Sequence, residues 1–349
     1  MMLYAFILLL IIIISLIFLE DYLGDYKKYV YWGFCVILIL FSAFRPVGLD
    51  PDSRAYELMF INNEEDPTFP IDPSYMFLVR VFRFFTDDVH FLFLFYAIIG
   101  IGIKFYALRK LSPFYFLPLV VYFGNYYILH DYIQMRAAVA SAVLLLAIKP
   151  LSEGKKKTTL GFFLIATVFH SSTLALYPIL FFNNQINKIW KYILIGITPV
   201  GTILFLLHYD FITALPIPYI QDKVDYYIMM TEGGFFEELT LKYPFIWIHY
   251  AAILYSLYFY DTIIKECPVL PLLLKITTYA LFCYYAFSSI AVMAARLHEL
   301  LAIVEVALLP CICYTIRPQL YGKIAVCIVG VIELTFTLFI WKLLDFSMA

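Results

Sequence analysis

Charged side chains are scarce in this sequence of 349 residues. Asp, Glu, Lys and Arg together make up 14% of the chain, whereas hydrophobic residues make up 64% and the mean hydropathy is +0.87. A soluble core of this length could not bury so much apolar surface, so the composition excludes a soluble globular protein. The sequence therefore predicts an integral membrane protein.

The alternating apolar and polar pattern of a membrane β-barrel is also missing, because the apolar residues come in uninterrupted runs. Lipid cannot hydrogen-bond the backbone, so such runs must form helices. Runs that approach the ~20 residues needed to cross a bilayer lie near 3–19, 29–44, 89–108, 113–129, 131–148, 190–208, 244–262, 269–289, 291–315 and 322–344. Together with the longer run 157–182, they predict an all-α polytopic bundle of about 11 spans, a single transmembrane domain over residues 1–349.

Cysteines are few, and none lies in a long polar loop. All six fall in or beside apolar runs, and Cys311 and Cys313 are two residues apart, so they point away from each other on a helix. We therefore expect neither disulfides nor a metal cluster, and no cofactor. Residues 1–20 lack the basic start and the small-residue cleavage site of a secretory signal, which predicts a retained anchor. No soluble domain is expected at either end.

The run 157–182 is long for one span and is interrupted by the polar residues 170–173. It favours a helical hairpin with His170 at its tip; the alternative is a single span, which would place Lys188, Lys191 and all later segments on the opposite side of the membrane. With the N-terminus outside and this hairpin in place, most lysines and arginines, including Lys104, fall on the inner side. The loops 45–88 and 209–243 then lie outside, and the apolar-basic pattern of 74–85 predicts a helix in the membrane interface.

Charged residues from separate segments converge at the outer face in this topology. They are Arg45 after the second apolar run, Arg136 near the start of the fifth, His170 at the hairpin tip, and Arg296, His298 and Glu299 at the start of another run. Intramembrane charges are costly and usually line a polar cavity, so the set predicts one shared cavity that opens outward. Arginine pairs bidentately with phosphate, which favours a phosphorylated lipid as ligand. Each arginine taken alone is better explained by a side chain that reaches the head groups, whereas the three arginines together with His170 favour the shared cavity.

Three further patterns have simpler alternatives. Asp50 and Asp52 are compatible with a metal site, but the neighbouring Gly and Pro favour a turn in which one carboxylate caps the following helix. His130-Asp131 is typical of an interfacial turn. Glu305 and Glu333 are interpreted as structural hydrogen-bonding partners inside their helices.

Four segments in this order resemble a known family: "RPVGLDPDSRAY", "MRAAVASAVLLLAI", "VFHSSTLALYPILFF" and "AARLHELLAIVEVALLP". Over about residues 40 to 310 the chain is similar to the EpsG-like branch of Wzy-type O-antigen and exopolysaccharide repeat-unit polymerases. Arg45, Asp50, Asp52 and Tyr56 match the first motif, Arg136 the second, His170 the third and Arg296 the fourth. The family often has Gln directly after the second arginine; here Ala137 stands there and the nearby amide is Gln134.

The resemblance implies a fold like that of GT-C-type membrane glycosyltransferases in the bacterial inner membrane, with the active site facing the periplasm. It implies transfer of the growing glycan from undecaprenyl diphosphate to the non-reducing end of a new lipid-linked repeat unit. Donor and acceptor would both be undecaprenyl-diphosphate-linked oligosaccharides, with membrane lipid around the protein. A Wzz-type chain-length regulator and a Wzx-type flippase are expected partners, and nucleic acid is not.

The predicted roles follow from both lines of reasoning. His170, Arg136, Arg296 and Glu299 are the predicted catalytic residues, and Arg45, Asp50, Asp52, Tyr56, Gln134 and His298 are predicted to bind substrate. His170 is the candidate base or diphosphate partner because its ordinary pKa lies near neutrality, with Asp50, Asp52 and Glu299 as competing bases. An O-antigen ligase, an acyltransferase and a flippase of lipid-linked glycans remain alternative functions.

Overall fold

The computed structural model describes residues 2–62, 72–207, 209, 229 and 239–346. Over these residues the secondary structure is helical and contains no β-strand, which confirms the predicted all-α class. Within the described part of the chain, six helices are long and apolar enough to cross a membrane: Met2–Leu19, His90–Leu111, Met135–Ser152, Lys188–Leu206, Ala291–Tyr314 and Gln319–Ile340. A seventh span results if Tyr260–Glu266 and Leu270–Ala286, bent by 115°, form one.

The expected 11 spans are therefore not confirmed. Several apolar runs form helices shorter than a full crossing, such as Lys27–Ala43 and Pro244–Tyr258. The run 113–129 is divided between the short α-helix Leu117–Val121 and the π-helix Tyr122–Ile133. Hydropathy measures how apolar a run is, but it does not show where a helix breaks or changes its winding.

The chain divides into two compact units, and the single transmembrane domain over residues 1–349 stays a prediction. The first unit, Met1–Leu180 with Leu309–Ala349, contains α1 Met2–Leu19, α2 Lys27–Ala43, α3 Ser53–Asn62, α4 Pro73–Arg83, α5 His90–Leu111, α6 Leu117–Val121, α7 Met135–Ser152 and α8 Lys156–Phe169. The second unit, Phe181–Leu308, contains α9 Lys188–Leu206, α10 Pro244–Tyr258, α11 Tyr260–Glu266, α12 Leu270–Ala286, α13 Ala291–Ala302 and α14 Glu305–Leu308. The first unit ends with the 3₁₀ helix Leu309–Tyr314, α15 Gln319–Thr335 and the π-helix Phe336–Ile340.

A buried ion pair joins α5 to the π-helix 122–133. Lys104 Nζ donates to both carboxylate oxygens of Asp131 at 2.7 and 2.8 Å and to the carbonyl of Ala138 at 2.9 Å, and both side chains are fully buried. The carboxylate also accepts from the Tyr122 hydroxyl at 2.8 Å. The assignment of Lys104 to an inner loop was therefore wrong. The prediction of an interfacial turn at His130-Asp131 was also wrong, since both residues are buried inside the π-helix.

The chain reverses direction at His170. Helix α8 ends at Phe169, His170 is extended (φ −156°, ψ 118°), and a 3₁₀ helix follows over Ser171–Phe181. The Tyr177 hydroxyl lies 3.2 Å from Thr167 Oγ1, and the Tyr177 and Phe163 rings are 6.1 Å apart between centroids. A straight helix would separate Phe163 and Tyr177 by roughly 21 Å at 1.5 Å per residue. These contacts require the chain to turn back, as the predicted hairpin does.

The predicted outer loop 45–88 contains two helices, α3 and α4. Helix α4 covers most of the predicted interfacial helix 74–85, and it ends near exposed aromatics, since Phe77 is 64% and Phe84 82% exposed. Its position at a membrane interface stays a prediction. The predicted loop 209–243 lies outside the described residues except for 209, 229 and 239–243.

Candidate active site

Asp72 contacts two of the predicted site residues in the first unit, Arg136 and His170. Its Oδ2 accepts from Arg136 Nη1 at 2.9 Å and lies 3.1 Å from His170 Nδ1, while its Oδ1 accepts from the backbone N–H of Ser171 at 2.8 Å. The side chains of Asp72 and Arg136 are 4% and 8% exposed, and that of His170 is 15% exposed. We name Asp72, Arg136 and His170 the anion cluster.

Three local features bring these side chains together. Arg136 lies in the first turn of α7, where Gln134 (φ −92°, ψ 62°) separates that helix from the preceding π-helix. His170 ends α8 at the hairpin turn, and Asp72 directly precedes Pro73 at the start of α4. Each of the three side chains thus lies at the start or the end of a helix, and these helix ends meet at the cluster.

The charges of the anion cluster fix its protonation. Burial by itself raises the pKa of Asp72, but the hydrogen bonds from His170 and Ser171 and the charges of His170 and Arg136 outweigh it, so this pKa lies below its usual value. The ionised carboxylate can only accept, so the hydrogen bond runs from the N–H at His170 Nδ1 to Asp72, which leaves Nε2 as the second nitrogen of the imidazole. Arg136 and His170 are the groups of this cluster that are able to donate hydrogen bonds to an anion.

Tyr56 and Tyr75 surround the Arg136 guanidinium. Its Cζ lies 5.8 Å from the Tyr56 ring centroid and 5.9 Å from that of Tyr75, and the Tyr75 hydroxyl donates to the Tyr56 carbonyl at 3.1 Å. Tyr56 is 1% exposed. Aromatic faces attract a guanidinium and fix its plane, so Tyr56 acts on Arg136 in this structure.

Arg45 and Asp50 form a second buried pair. Arg45 Nε lies 3.2 Å from Asp50 Oδ2, Arg45 Nη1 donates to the Ser42 carbonyl at 2.8 Å, and the side chains are 1% and 0% exposed. The Arg45 guanidinium lies over the Phe93 ring at 4.0 Å and the Tyr132 ring at 5.5 Å. Among the described residues, Arg45 Nη2 has no hydrogen-bond partner. The pair is a packed component of this unit, and its predicted contact with substrate stays a prediction.

Asp50 performs the capping role that the sequence left open. Its Oδ1 accepts from the backbone N–H groups of Asp52 at 3.1 Å and Ser53 at 2.8 Å, immediately before α3. Free N–H groups at a helix start are satisfied in this way by a preceding carboxylate. Asp52 is half-buried beside this turn.

The remaining predicted residues belong to the second unit and lie on α13. Glu299 Oε1 accepts from the Tyr243 hydroxyl at 3.0 Å, and the Tyr243 ring stacks on Tyr284 with centroids 5.8 Å apart. His298 is 1% exposed and Arg296 is half-buried. Their predicted catalytic and binding roles stay proposals.

Sequence reasoning missed Asp72 and His249. Asp72 directly precedes the first residue of α4, Pro73, and in the sequence such a position indicates only the start of a helix. The tertiary fold is what brings its carboxylate to Arg136 and His170. His249 lies alone in the apolar run 244–262, where it makes contact with His298 and Glu305. An ionisable residue in an apolar run is itself a reason to suspect function, so that signal was present in the sequence.

Comparison with known proteins identifies the family. No curated protein and no solved structure shows significant similarity to this chain. The family model described as "EpsG family" matches residues 28–348, a range that contains the anion cluster and every predicted site residue. The chain belongs to the EpsG family.

Proposed function

We propose that this protein is a polymerase of lipid-linked oligosaccharide repeat units. It transfers the growing glycan from undecaprenyl diphosphate to the non-reducing end of a new undecaprenyl-diphosphate-linked unit, at the periplasmic face of the bacterial inner membrane. Membership of the EpsG family and the apolar helices support a membrane-bound polysaccharide polymerase. The observation that carries the finer proposal is the anion cluster.

The anion cluster suits the diphosphate of the donor. An arginine fork pairs bidentately with phosphate oxygens, and His170 Nε2 adds a second contact when the ring is protonated, with Asp72 balancing the imidazolium charge. As the sugar–diphosphate bond breaks, negative charge grows on the leaving group. Positive groups already in place stabilise that charge without further reorganisation, which lowers the barrier. His170 is therefore assigned to the diphosphate.

The other predicted residues keep supporting roles in this proposal. Arg296 and Glu299 are assigned to catalysis in the same reaction, and His298, Asp52 and Gln134 to substrate binding. Tyr56 acts by fixing the Arg136 plane, and the Arg45–Asp50 pair by holding the turn before α3. Wzx-type flippases would supply the repeat units, and Wzz-type regulators would set chain length.

The experiment compares surface polysaccharide in a deletion strain complemented with variants. Arg136→Ala is expected to lower elongation by about 10²- to 10³-fold, the cost of losing one preorganised charge-stabilising group. Arg136→Lys keeps the charge but loses the fork, so we expect partial activity. Arg80→Ala is the matched control, because Arg80 is an exposed arginine on α4. Immunoblots must show equal amounts of each variant.

The glycan profile of the deletion strain separates the candidate functions. If the deleted protein is a polymerase, only single repeat units reach the acceptor. If it is a ligase, long lipid-linked chains accumulate and none is transferred. If it is a flippase, single units accumulate on the cytoplasmic side. Normal long chains in the Arg136→Ala strain at normal protein level would refute the role of the anion cluster.

A further inference from the structure

Three buried ionisable side chains in the second unit form a continuous hydrogen-bonded chain. His298 Nε2 lies 3.0 Å from His249 Nδ1, and His249 Nε2 lies 2.6 Å from Glu305 Oε2. The three residues are 1%, 1% and 0% exposed. They come from α13, α10 and α14, so the chain joins three helices.

The geometry is that of a relay and not of a metal site. The two hydrogen bonds leave His249 from its two different ring nitrogens, on opposite sides of the imidazole. A metal would need ligand atoms that converge on one point, which these bonds do not. Buried ionisable groups in a membrane protein are costly and mark proton paths or substrate sites.

With Glu305 taken as ionised, the chain of bonds assigns one position to each proton. An ionised Glu305 can only accept, so His249 carries its proton on Nε2 and presents a lone pair at Nδ1. That lone pair accepts from His298 Nε2–H, which leaves the His298 lone pair on Nδ1. Within the part of the chain that the structure describes, His298 Nδ1 has no hydrogen-bond partner. A buried acceptor without a partner calls for an explanation, and a ligand hydroxyl supplies one.

Aromatic rings enclose His298 on two sides. The rings of Tyr243 and Tyr284 lie with their centroids 5.8 and 5.5 Å from the His298 ring, both near perpendicular to it. The Tyr243 hydroxyl is held by Glu299, on the same helix as His298. The titratable groups that face His298 are thus His249, Tyr243 and Tyr284, with Glu305 behind His249.

We propose that His298 Nδ1 accepts the proton of the attacking sugar hydroxyl, with His249 and Glu305 as positioning residues; this inference rests on the proposed polymerase function. The hydroxyl oxygen of the acceptor bonds to the anomeric carbon of the donor. The bond from that carbon to the diphosphate breaks, and its electron pair leaves with the diphosphate. The hydroxyl proton goes to His298 Nδ1.

Glu305 makes this proton transfer possible in an apolar surrounding. An isolated imidazolium would be expensive to bury, because burial removes it from the solvent that stabilises its charge. In the relay, the new positive charge is balanced by the Glu305 carboxylate through His249, so the three side chains together change from one negative charge to none.

The proton positions are tested directly by nitrogen NMR. The protein is labelled with ¹⁵N-histidine and placed in lipid nanodiscs at neutral pH; six histidines give few enough signals to resolve. The signals lost in His298→Gln identify residue 298, with His90→Gln as the assignment control. We expect a protonated Nε2 and an unprotonated Nδ1, and a mixed tautomer in Glu305→Gln. A proton on His298 Nδ1 in the unmodified protein would overturn the relay.

The chemical role is tested with lipid-diphosphate-linked repeat units extracted from the deletion strain. His298→Gln and Glu305→Gln are each expected to lower the elongation rate by about 10²- to 10⁴-fold, the usual contribution of a general base. In Glu305→Gln the acid limb of the plot of elongation rate against pH should also move to lower pH, because no carboxylate then balances the charge of the His298 imidazolium. A purely structural defect would lower the rate without moving this limb. Glu333→Gln is the matched control, since Glu333 is a buried glutamate outside the relay.

The possible failures are distinguishable. If NMR shows the expected tautomer but both variants elongate normally, the proton-acceptor role is wrong while the polymerase proposal stands. If the deletion strain still makes long chains, the proposed function is wrong, and with it the role of His298 on a glycan.

Discussion

Asp72 is the residue on which the anion cluster depends. It receives hydrogen bonds from Arg136, His170 and the Ser171 backbone, and its pKa is lowered although burial opposes this. A carboxylate with a lowered folded-state pKa contributes stability above its unfolded pKa of about 3.9. That stability is lost as the pH falls through the folded value. The contribution of Asp72 should therefore be constant near neutrality and vanish only in acid.

Substitution of Asp72 by Asn should destabilise the protein in a pH-dependent way. Removing one partner of a buried ion pair costs about 3 to 5 kcal/mol, because the other charge is left uncompensated. Thermal unfolding in detergent should show a gap between the unmodified protein and the variant that is constant from about pH 7 to 5 and narrows below about pH 4. Asp87→Asn, at a 94% exposed carboxylate, is the control. A gap that persists unchanged in acid would contradict the assignment.

The Lys104–Asp131 pair predicts a different pattern of single and double variants. Lys104→Met or Asp131→Asn alone leaves one polar group buried without its partner, at a cost of about 3 to 5 kcal/mol. The double variant removes both charges, and its Asn can still accept from Tyr122, so it should recover most of the lost melting temperature. Melting temperatures of the four proteins give the coupling between the sites. Additive losses would show that the two side chains do not interact.

At the scale of elements, α5 closely approaches the junction between the π-helix and α7. A Cβ on Gly100 would lie 2.7 Å from Asp131 Oδ1 and 3.2 Å from the Ala138 side chain. Small residues at membrane helix contacts allow backbones to come this near. The space at Gly100 is what admits the Asp131 carboxylate to Lys104.

Gly100→Ala should therefore destabilise the protein by about 1 to 3 kcal/mol, the usual cost of overpacking. A Cβ on Gly102, two residues along the same helix, would meet no atom within 4 Å. Gly102→Ala should be neutral or stabilising by up to about 1 kcal/mol, through helix propensity alone. Melting temperatures of the two variants decide the point, and equal effects would refute the close contact.

The apolar runs predicted most of the helices. The type of each helix and the points where helices break depend on tertiary packing, which the runs do not show. The sequence predicted that one apolar run ends at residue 129, that His130-Asp131 forms a turn and that the next run begins at 131; residues 122–133 instead form one π-helix that packs against α15. A Cβ on Gly124 would lie 2.6 Å from the Gly330 carbonyl, which shows how tightly the two helices pack. The pattern of apolar residues in 122–133 does not indicate that α15, which lies far later in the chain, packs against this segment. The break at His170 was predictable because polar residues there interrupt the run.

At the scale of the whole molecule, orientation is tested by labelling single cysteines in intact cells. All six native cysteines are buried and must first be replaced if they react. Positions 87, 156 and 188 are exposed and suit labelling. An impermeant maleimide should label Asp87→Cys, but neither Lys156→Cys nor Lys188→Cys until the membrane is opened. The hairpin returns the chain to its own side, so 156 and 188 must behave alike.

Two outcomes would contradict this topology. Labelling of Lys188→Cys without Lys156→Cys would mean that 157–182 crosses the membrane once, and every later segment would then be inverted. Labelling of Lys156→Cys and not Asp87→Cys would reverse the whole orientation and place the anion cluster on the wrong side for a periplasmic reaction.

The sequence by itself determined the class of this protein, the break at His170 and the functional interest of Arg136 and His170. These depend on local properties: total apolar content, the length of runs, and the cost of a charge inside one. Only the tertiary structure decided that Asp72 joins Arg136 to His170, that Lys104 pairs with Asp131, and that Glu305 belongs to a relay. Each partner is brought by a different segment, and the chemistry of a buried polar group is set by the atom that satisfies it, which no single segment specifies.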